Sequence, residues 1–258
     1  MELLGFSSEQ LLVFFVCLAR ISGLIGGMPI FSGIQTPLRV RAGLALTLSL
    51  IIVPGVASSI SSLPHHPLLF GIIVVSEAIL GYLLGFTAKL IVFAAQFGGT
   101  VVGYLMGFAA ANIMDPQNQQ QTPLISQFQN VIALLLFLAL NIHHLFIRAI
   151  VKSFELLPVA PLDFSGDVIP YLMNMTSDMF VLGIRLCAPL LALLLLSDLV
   201  MAIMSRVFPQ LNVFLLKFPV NIGLGMIVMG LTLDLVVSVL GNEFQSLSER
   251  FINIFQLM

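Results

Sequence analysis

Three long windows of this chain contain no Asp, Glu, Lys or Arg: residues 42–76, 90–114 and 116–144. Windows of that length and apolarity cannot form the surface of a water-soluble domain, where about 25% of residues are charged. Here charged residues make up 9% of the chain and hydrophobic ones 59%. The chain therefore reads as an integral membrane protein. Backbone left unpaired against lipid costs several kcal/mol per group, so only helices or a closed barrel can cross. No stretch alternates as a lipid-facing strand would, and an all-α fold is expected.

Six segments are apolar for about 20 residues or more, the length needed to span. They are 11–34, 42–60, 68–95, 128–151, 168–196 and 213–240, and they are expected to pack as hairpins within a single domain, 1–258. The N-terminus carries Glu2 and Glu9 where a signal peptide would be basic, so the first helix is expected to be retained. Arg39 and Arg41 mark the connection 32–41 as cytoplasmic, which puts the N-terminus outside. Past Gly241 the chain turns polar, with Phe251, Ile252, Ile254 and Phe255 making it amphipathic.

A seventh segment, 98–114, is the unusual one. Gly99, Gly103, Gly107 and Ala111 recur every four residues and form a helical stripe that lets another backbone approach closely. Asp115-Pro116 should stop this helix, because the residue before proline avoids the helical region. The uncharged polar run Gln117-Asn118-Gln119-Gln120-Gln121 comes next, and a second helix is expected from about Phe128. A polar loop between apolar helices must lie at the membrane surface, inside protein or along a water-filled passage. Met106, Phe108 and Met114 could fill a narrow lumen there.

Seven ionisable residues stand in or beside the apolar segments: Arg20, Glu77, Lys89, Asp178, Arg185, Lys217 and Asp234. Each costs about 2.5 to 3.5 kcal/mol at a helix centre, so they are expected to meet other subunits or helices, with a proton relay as the functional alternative. Asp178 and Arg185 share a helix face, but about 10 Å along the axis separates them. His65-His66 and His143-His144 lack companions for a metal site. No phosphate-binding glycine loop and no nucleophile–base motif is present. Cys17 and Cys187, each inside an apolar run, read as small buried hydrophobes. A net charge of −2 gives no reason to expect a nucleic-acid partner. No enzyme, cofactor or metal is therefore expected.

Three ordered blocks carry a resemblance. The first is R-I-S-G…M-P-I-F…P-L-R-V-R-A-G-L-A-L, between Arg20 and Leu46. The second joins Gly99, Gly103, Met106, Gly107, Phe108, Ala111, Asp115, Pro116 and Pro123 to Asn141, His143, Ser153, Phe154, Leu157 and Pro158. The third is P-Q-L-N-V-F-L-L-K-F-P-V-N-I-G-L-G, from Pro209 to Gly225, which is also expected to break a helix pair into a hairpin at Pro209 and Pro219. Together they resemble the FliR family of flagellar type III export-gate subunits, over essentially the whole chain. Ile142 departs from the family's usual glycine, and Lys217 stands where a small residue is usual.

The resemblance implies a non-enzymatic pore subunit in the bacterial inner membrane, within the flagellar basal body. It implies assembly with FliP and FliQ, one copy of this subunit with several of each, and FlhA and FlhB as neighbours. Unfolded flagellar subunits would thread through. It also implies that Met106 through Pro116 act as an internal plug, with Gln117, Gln119 and Gln121 joined to it by position. The alternative is a small-solute secondary transporter, which should show paired broken helices in two related halves. The interruption at 98–121 has no partner in the second half.

Overall fold

The computed structural model describes residues 8–31, 36–57, 66–108, 124–157, 167–210 and 212–258, together with 60, 64 and 159. Nine helices account for most of them: α1 (Ser8–Gly27), α2 (Leu38–Val56), α3 (Pro67–Leu105), α4 (Leu124–Ala139), α5 (Ile142–Leu156), α6 (Val168–Val207), α7 (Val213–Leu231), α8 (Leu233–Gln245) and α9 (Leu247–Leu257). No strand occurs among the described residues, and the protein is all-α. Four helices are long and apolar enough to cross a bilayer, and up to six spans result if α4 with α5, and α7 with the helices after it, each count as one.

Several boundaries differ from the sequence reading, each for a local reason. Segment 68–95 and the start of segment 98–114 are not separate, because nothing between them breaks the ladder, and α3 runs through 39 residues to Leu105. At 1.5 Å per residue it is about 58 Å long, so it outruns a hydrocarbon core of about 30 Å. It must protrude or tilt strongly. α3 ends at Leu105, beyond which Gly107 takes a left-handed φ of 91°, and the expected stop at Asp115-Pro116 lies outside the described residues. The expected helix 128–151 begins earlier, at Leu124, and breaks at Asn141, whose φ of 55° is one that asparagine tolerates better than most. The expected segment 168–196 runs further, since α6 continues to Val207.

The last apolar segment is likewise two helices, α7 and α8, parted at Thr232. Its proline block does only half of what was expected. Pro209 sits in the turn between α6 and α7, whereas Pro219 lies inside α7. Its ring forfeits only the bond to the Leu215 carbonyl, and the helix carries on.

The chain forms two compact units. One comprises Met1–Leu90, Phe137–Met175 and Phe244–Met258, the other Ile91–Leu136 and Thr176–Glu243. In the first, α1 and α3 meet along two G-x-x-x-G pairs, Gly23/Gly27 and Gly81/Gly85. A Cβ on Gly81 would lie 1.8 Å from the Arg20 carbonyl oxygen, and one on Gly23 would lie 2.0 Å from that of Ala78. The backbones themselves are in contact, as small residues permit in membrane helices. Phe137, Phe146, Phe244 and Phe251 stack edge to face or tilted at one end of this unit. The core of the second unit gathers Val102, Met106, Ile125, Cys187, Leu190 and Leu194.

Candidate functional site

The gate expected from the sequence begins at the end of α3, and that end is held unusually. The last four carbonyls of a helix have no partner within it. Gly107 N–H turns back to the Tyr104 carbonyl at 3.1 Å, the tightened closure glycine gives to helix ends. The Leu105 carbonyl is satisfied from another helix, by Asn221 Nδ2 of α7 at 3.2 Å.

Three residues of α7 on one face take hold of three consecutive residues at the end of α3, Leu105 and the two that follow it. Asn221 binds Leu105. Gly225 makes room for Met106, whose Sδ would lie 2.8 Å from a Cβ added there. The ring of Phe218 covers Gly107 so closely that a Cβ on the glycine would sit 2.3 Å from its Cδ1. The spacing 218, 221, 225 is that of one helical face.

Asn221 is itself fixed on every side. It is fully buried. Its amide donates a second time, to Asp198 Oδ1 at 2.9 Å, and its oxygen accepts from Ser197 Oγ at 2.7 Å. Asp198 Oδ2 accepts from Lys217 Nζ at 2.9 Å, a pair about a third exposed. The network thus runs from the partly exposed Lys217 inward to the end of α3, through one carboxylate and one amide.

The residues expected at the gate are distributed as follows. Gly99 lies against the backbone of Ser126, whose Cα would be 2.7 Å from an added Cβ, and Gly103 is buried. Met106 has no exposed surface. It packs into the core of its own unit with Leu190 and Leu194. Phe108 packs, partly buried, on the same cluster. Ala111, Met114, Asp115, Pro116, Gln117, Gln119 and Gln121 lie outside the described residues.

The embedded charges separate into two kinds. Arg20 and Glu77 form a buried ion pair; Arg20 also donates to Ser153 Oγ at 2.8 Å and lies 3.8 Å over the Phe154 ring. Lys217 is paired with Asp198. Asp178 and Arg185 on α6, and Asp234 at the start of α8, are instead exposed on the chain's own surface, and Lys89 is half-buried on α3.

The sequence reading missed Ser197, Asp198 and Asn221. Asn221 stood in plain view within F-P-V-N-I, and a lone amide inside an apolar helix is a signal in itself, since its desolvation must be offset. It also passed over both G-x-x-x-G pairs of α1 and α3.

The model for bacterial export proteins, family 1, matches residues 11–247. The chain belongs to that family. Family 1 relatives include the flagellar biosynthetic protein FliR of Bacillus subtilis, 32% identical over 249 residues and 95% of each chain. FliR of Escherichia coli is 29% identical over 238 residues, covering 91% of this chain and 90% of its own. FliR of Caulobacter vibrioides is 25% identical over 242 residues, covering 94% and 96%. The resemblance read from the three sequence blocks is therefore correct, and the protein is an export-family membrane protein of the flagellar export apparatus. The family 1 match takes in the whole Leu105–Asn221 arrangement.

Proposed function

We propose that this protein is a pore subunit of the flagellar type III export channel in the bacterial inner membrane. In this reading it assembles with FliP and FliQ beside FlhA and FlhB and conducts unfolded flagellar subunits without catalysing a reaction. The observation that carries it is family 1 membership across residues 11–247. The surface of the chain supports it. Asp178, Arg185 and Asp234 are exposed among the apolar side chains Phe180, Val181, Ile184 and Leu235. Lipid would solvate such charges poorly, whereas helices of neighbouring subunits would offer them partners.

Within that channel, the segment beginning at Gly107 is the seal of the idle pore. A passage wide enough for a polypeptide must be closed between substrates, or the proton gradient collapses. Because Met106 is anchored in the subunit core, it serves as the root of the seal, and the closing surface begins after it. The alternative, a small-solute transporter, gains two interrupted spans, at Asn141 and Thr232. Both fall in the C-terminal half, and the family match over residues 11–247 favours the channel subunit over a carrier.

The test is purification of the tagged chain from cells expressing FliP and FliQ. Recovery of one complex containing all three is expected; a monodisperse chain running alone would overturn the assignment. Deleting residues 108–121 within the assembled complex should make vesicles leak small ions, and unchanged conductance would remove the seal.

A further inference from the structure

We propose that the trough between α5 and α9 binds an acidic phospholipid, one acyl chain lying in the trough and the phosphate held by Arg148 and Lys152. The inference stands on these two helices and does not depend on the channel reading.

Two helical faces make the trough. Leu145, Arg148, Ala149 and Lys152 recur at the spacing of one face of α5, and Ser248, Phe251, Ile252 and Phe255 at that of one face of α9. Both helices belong to the same compact unit. The trough encloses about 150 Å³. Its floor is built in advance: Phe251 and Phe255 are buried, and the Phe251 ring stands edge-on to Phe146 with centroids 5.0 Å apart. A space of that size lined by hydrocarbon side chains stays dry and admits an apolar group about as large as benzene. Ile252, exposed at the edge, extends the apolar surface outward for the rest of a chain.

The rim supplies the charge. Arg148 and Lys152 are exposed and stand four apart, so their Cβ atoms are about 6 Å from each other. Like charges at that spacing repel, and neither meets a carboxylate among the described residues. Glu155, a turn further on, lines no part of the trough and pairs with neither. A phosphate has oxygens enough for both cations at once. Their aliphatic stems line the trough, as Arg and Lys do where hydrocarbon meets water. α5 and α9 are also the closing parts of the two bent spans, which sets the basic rim towards a span's end, where headgroups lie.

The chemistry selects among occupants. A peptide would bring backbone N–H groups, and the lining side chains among the described residues offer them one acceptor, Ser248 Oγ. A hydrocarbon chain needs none. A choline or ethanolamine headgroup carries its own cation, and no Asp or Glu lines the trough to receive it. An acidic headgroup on an acyl chain satisfies both parts of the site, as in other basic pockets between membrane helices.

The experiment reconstitutes the full chain in phosphatidylcholine vesicles that contain phosphatidylglycerol with a photoreactive diazirine on its acyl chain. Mass spectrometry then maps the labelled peptides. Label is expected on α5 and α9, displaced by unlabelled phosphatidylglycerol and not by glycerol phosphate. A basic side chain beside an acidic lipid is worth roughly fivefold in affinity, so Arg148→Gln and Lys152→Gln should each cut labelling about fivefold, and together about 20-fold. Both side chains are exposed, so the yield of folded chain should not change. Arg148→Lys with Lys152→Arg keeps both charges and should keep the label. Equal labelling by a phosphatidylcholine probe, or full labelling of the double Gln variant, would overturn the proposal. Displacement by glycerol phosphate would make this a site for a free phosphate ester and overturn it too. Label on the lone chain that vanishes in the membrane complex the tagged chain brings down would give the trough to an acidic segment of a neighbouring subunit instead of a lipid.

Discussion

The ring of Phe218 occupies the space that a side chain on Gly107 would need, with its Cδ1 2.3 Å from the position of that absent Cβ. Glycine is thus required twice at this point, once by its φ of 91° and once by the aromatic face above it. Gly107→Ala should cost about 1 to 2 kcal/mol for the left-handed backbone, plus whatever displacing the ring adds. The backbone part corresponds to a fall in melting temperature of roughly 2 to 8 °C for the solubilised chain. Phe218→Ala in the same chain should return the steric part and leave the backbone part. Full recovery in the double variant would show that the conformation of Gly107 carries no strain.

Removing one member of the Arg20–Glu77 pair should be far worse than removing both. Glu77→Gln leaves a fully buried guanidinium beside Ser153 and Phe154 without its counter-charge, which costs about 3 to 5 kcal/mol. Arg20→Met combined with Glu77→Leu should regain most of that stability. Resistance to proteolysis in membranes, compared across the three chains, reads the difference. A double variant as fragile as the single one would mean that the ion pair itself holds the helices together.

Lys217 and Asp198 form one salt bridge but should respond differently to substitution. Their pair is partly exposed, so Lys217→Met should change melting by less than about 1 kcal/mol. Asp198→Ala also deprives the buried Asn221 amide of an acceptor, which adds about 1 to 3 kcal/mol. Thermal melting of the two variants side by side tests this. Equal losses would contradict the inward course of the network.

Asp178→Ala and Arg185→Ala should leave the isolated chain as stable as before, because both side chains are exposed on α6. Recovery of the chain in its membrane complex should drop severalfold. Quantitative pull-down against total membrane protein gives the ratio. Normal recovery together with lost export would instead assign these residues to proton movement.

The range of each interaction decides how legible it was in the sequence. Apolar length is a local property, so the spanning segments and the all-α class could be read from windows such as 42–76 and 116–144. Their ends depend on more distant groups. The break at Asn141 ends the apolar run 131–140, but a single polar residue there does not by itself announce a change of direction. At the end of α3, Leu105 and Gly107 meet Asn221 and Phe218 of α7, more than a hundred residues later. Composition likewise singled out Arg20, Glu77 and Lys217 as costly charges. It could not say that Arg20 meets Glu77 while Lys217 meets Asp198, since such pairings belong to the packing.

The buried cluster around Arg20 also has a history imposed by synthesis. Arg20 is made 57 residues before Glu77 and 133 before Ser153. When α1 first reaches the insertion machinery its guanidinium has neither partner, and an arginine at a helix centre then costs about 2.5 to 3.5 kcal/mol. The first helix must wait, poorly seated, while the ribosome delivers α2 and then α3. It becomes secure once Glu77 arrives, and its donor to Ser153 is met only after α5 has emerged. The N-terminal hairpin is thus the earliest part of this protein to be made and among the last to be finished.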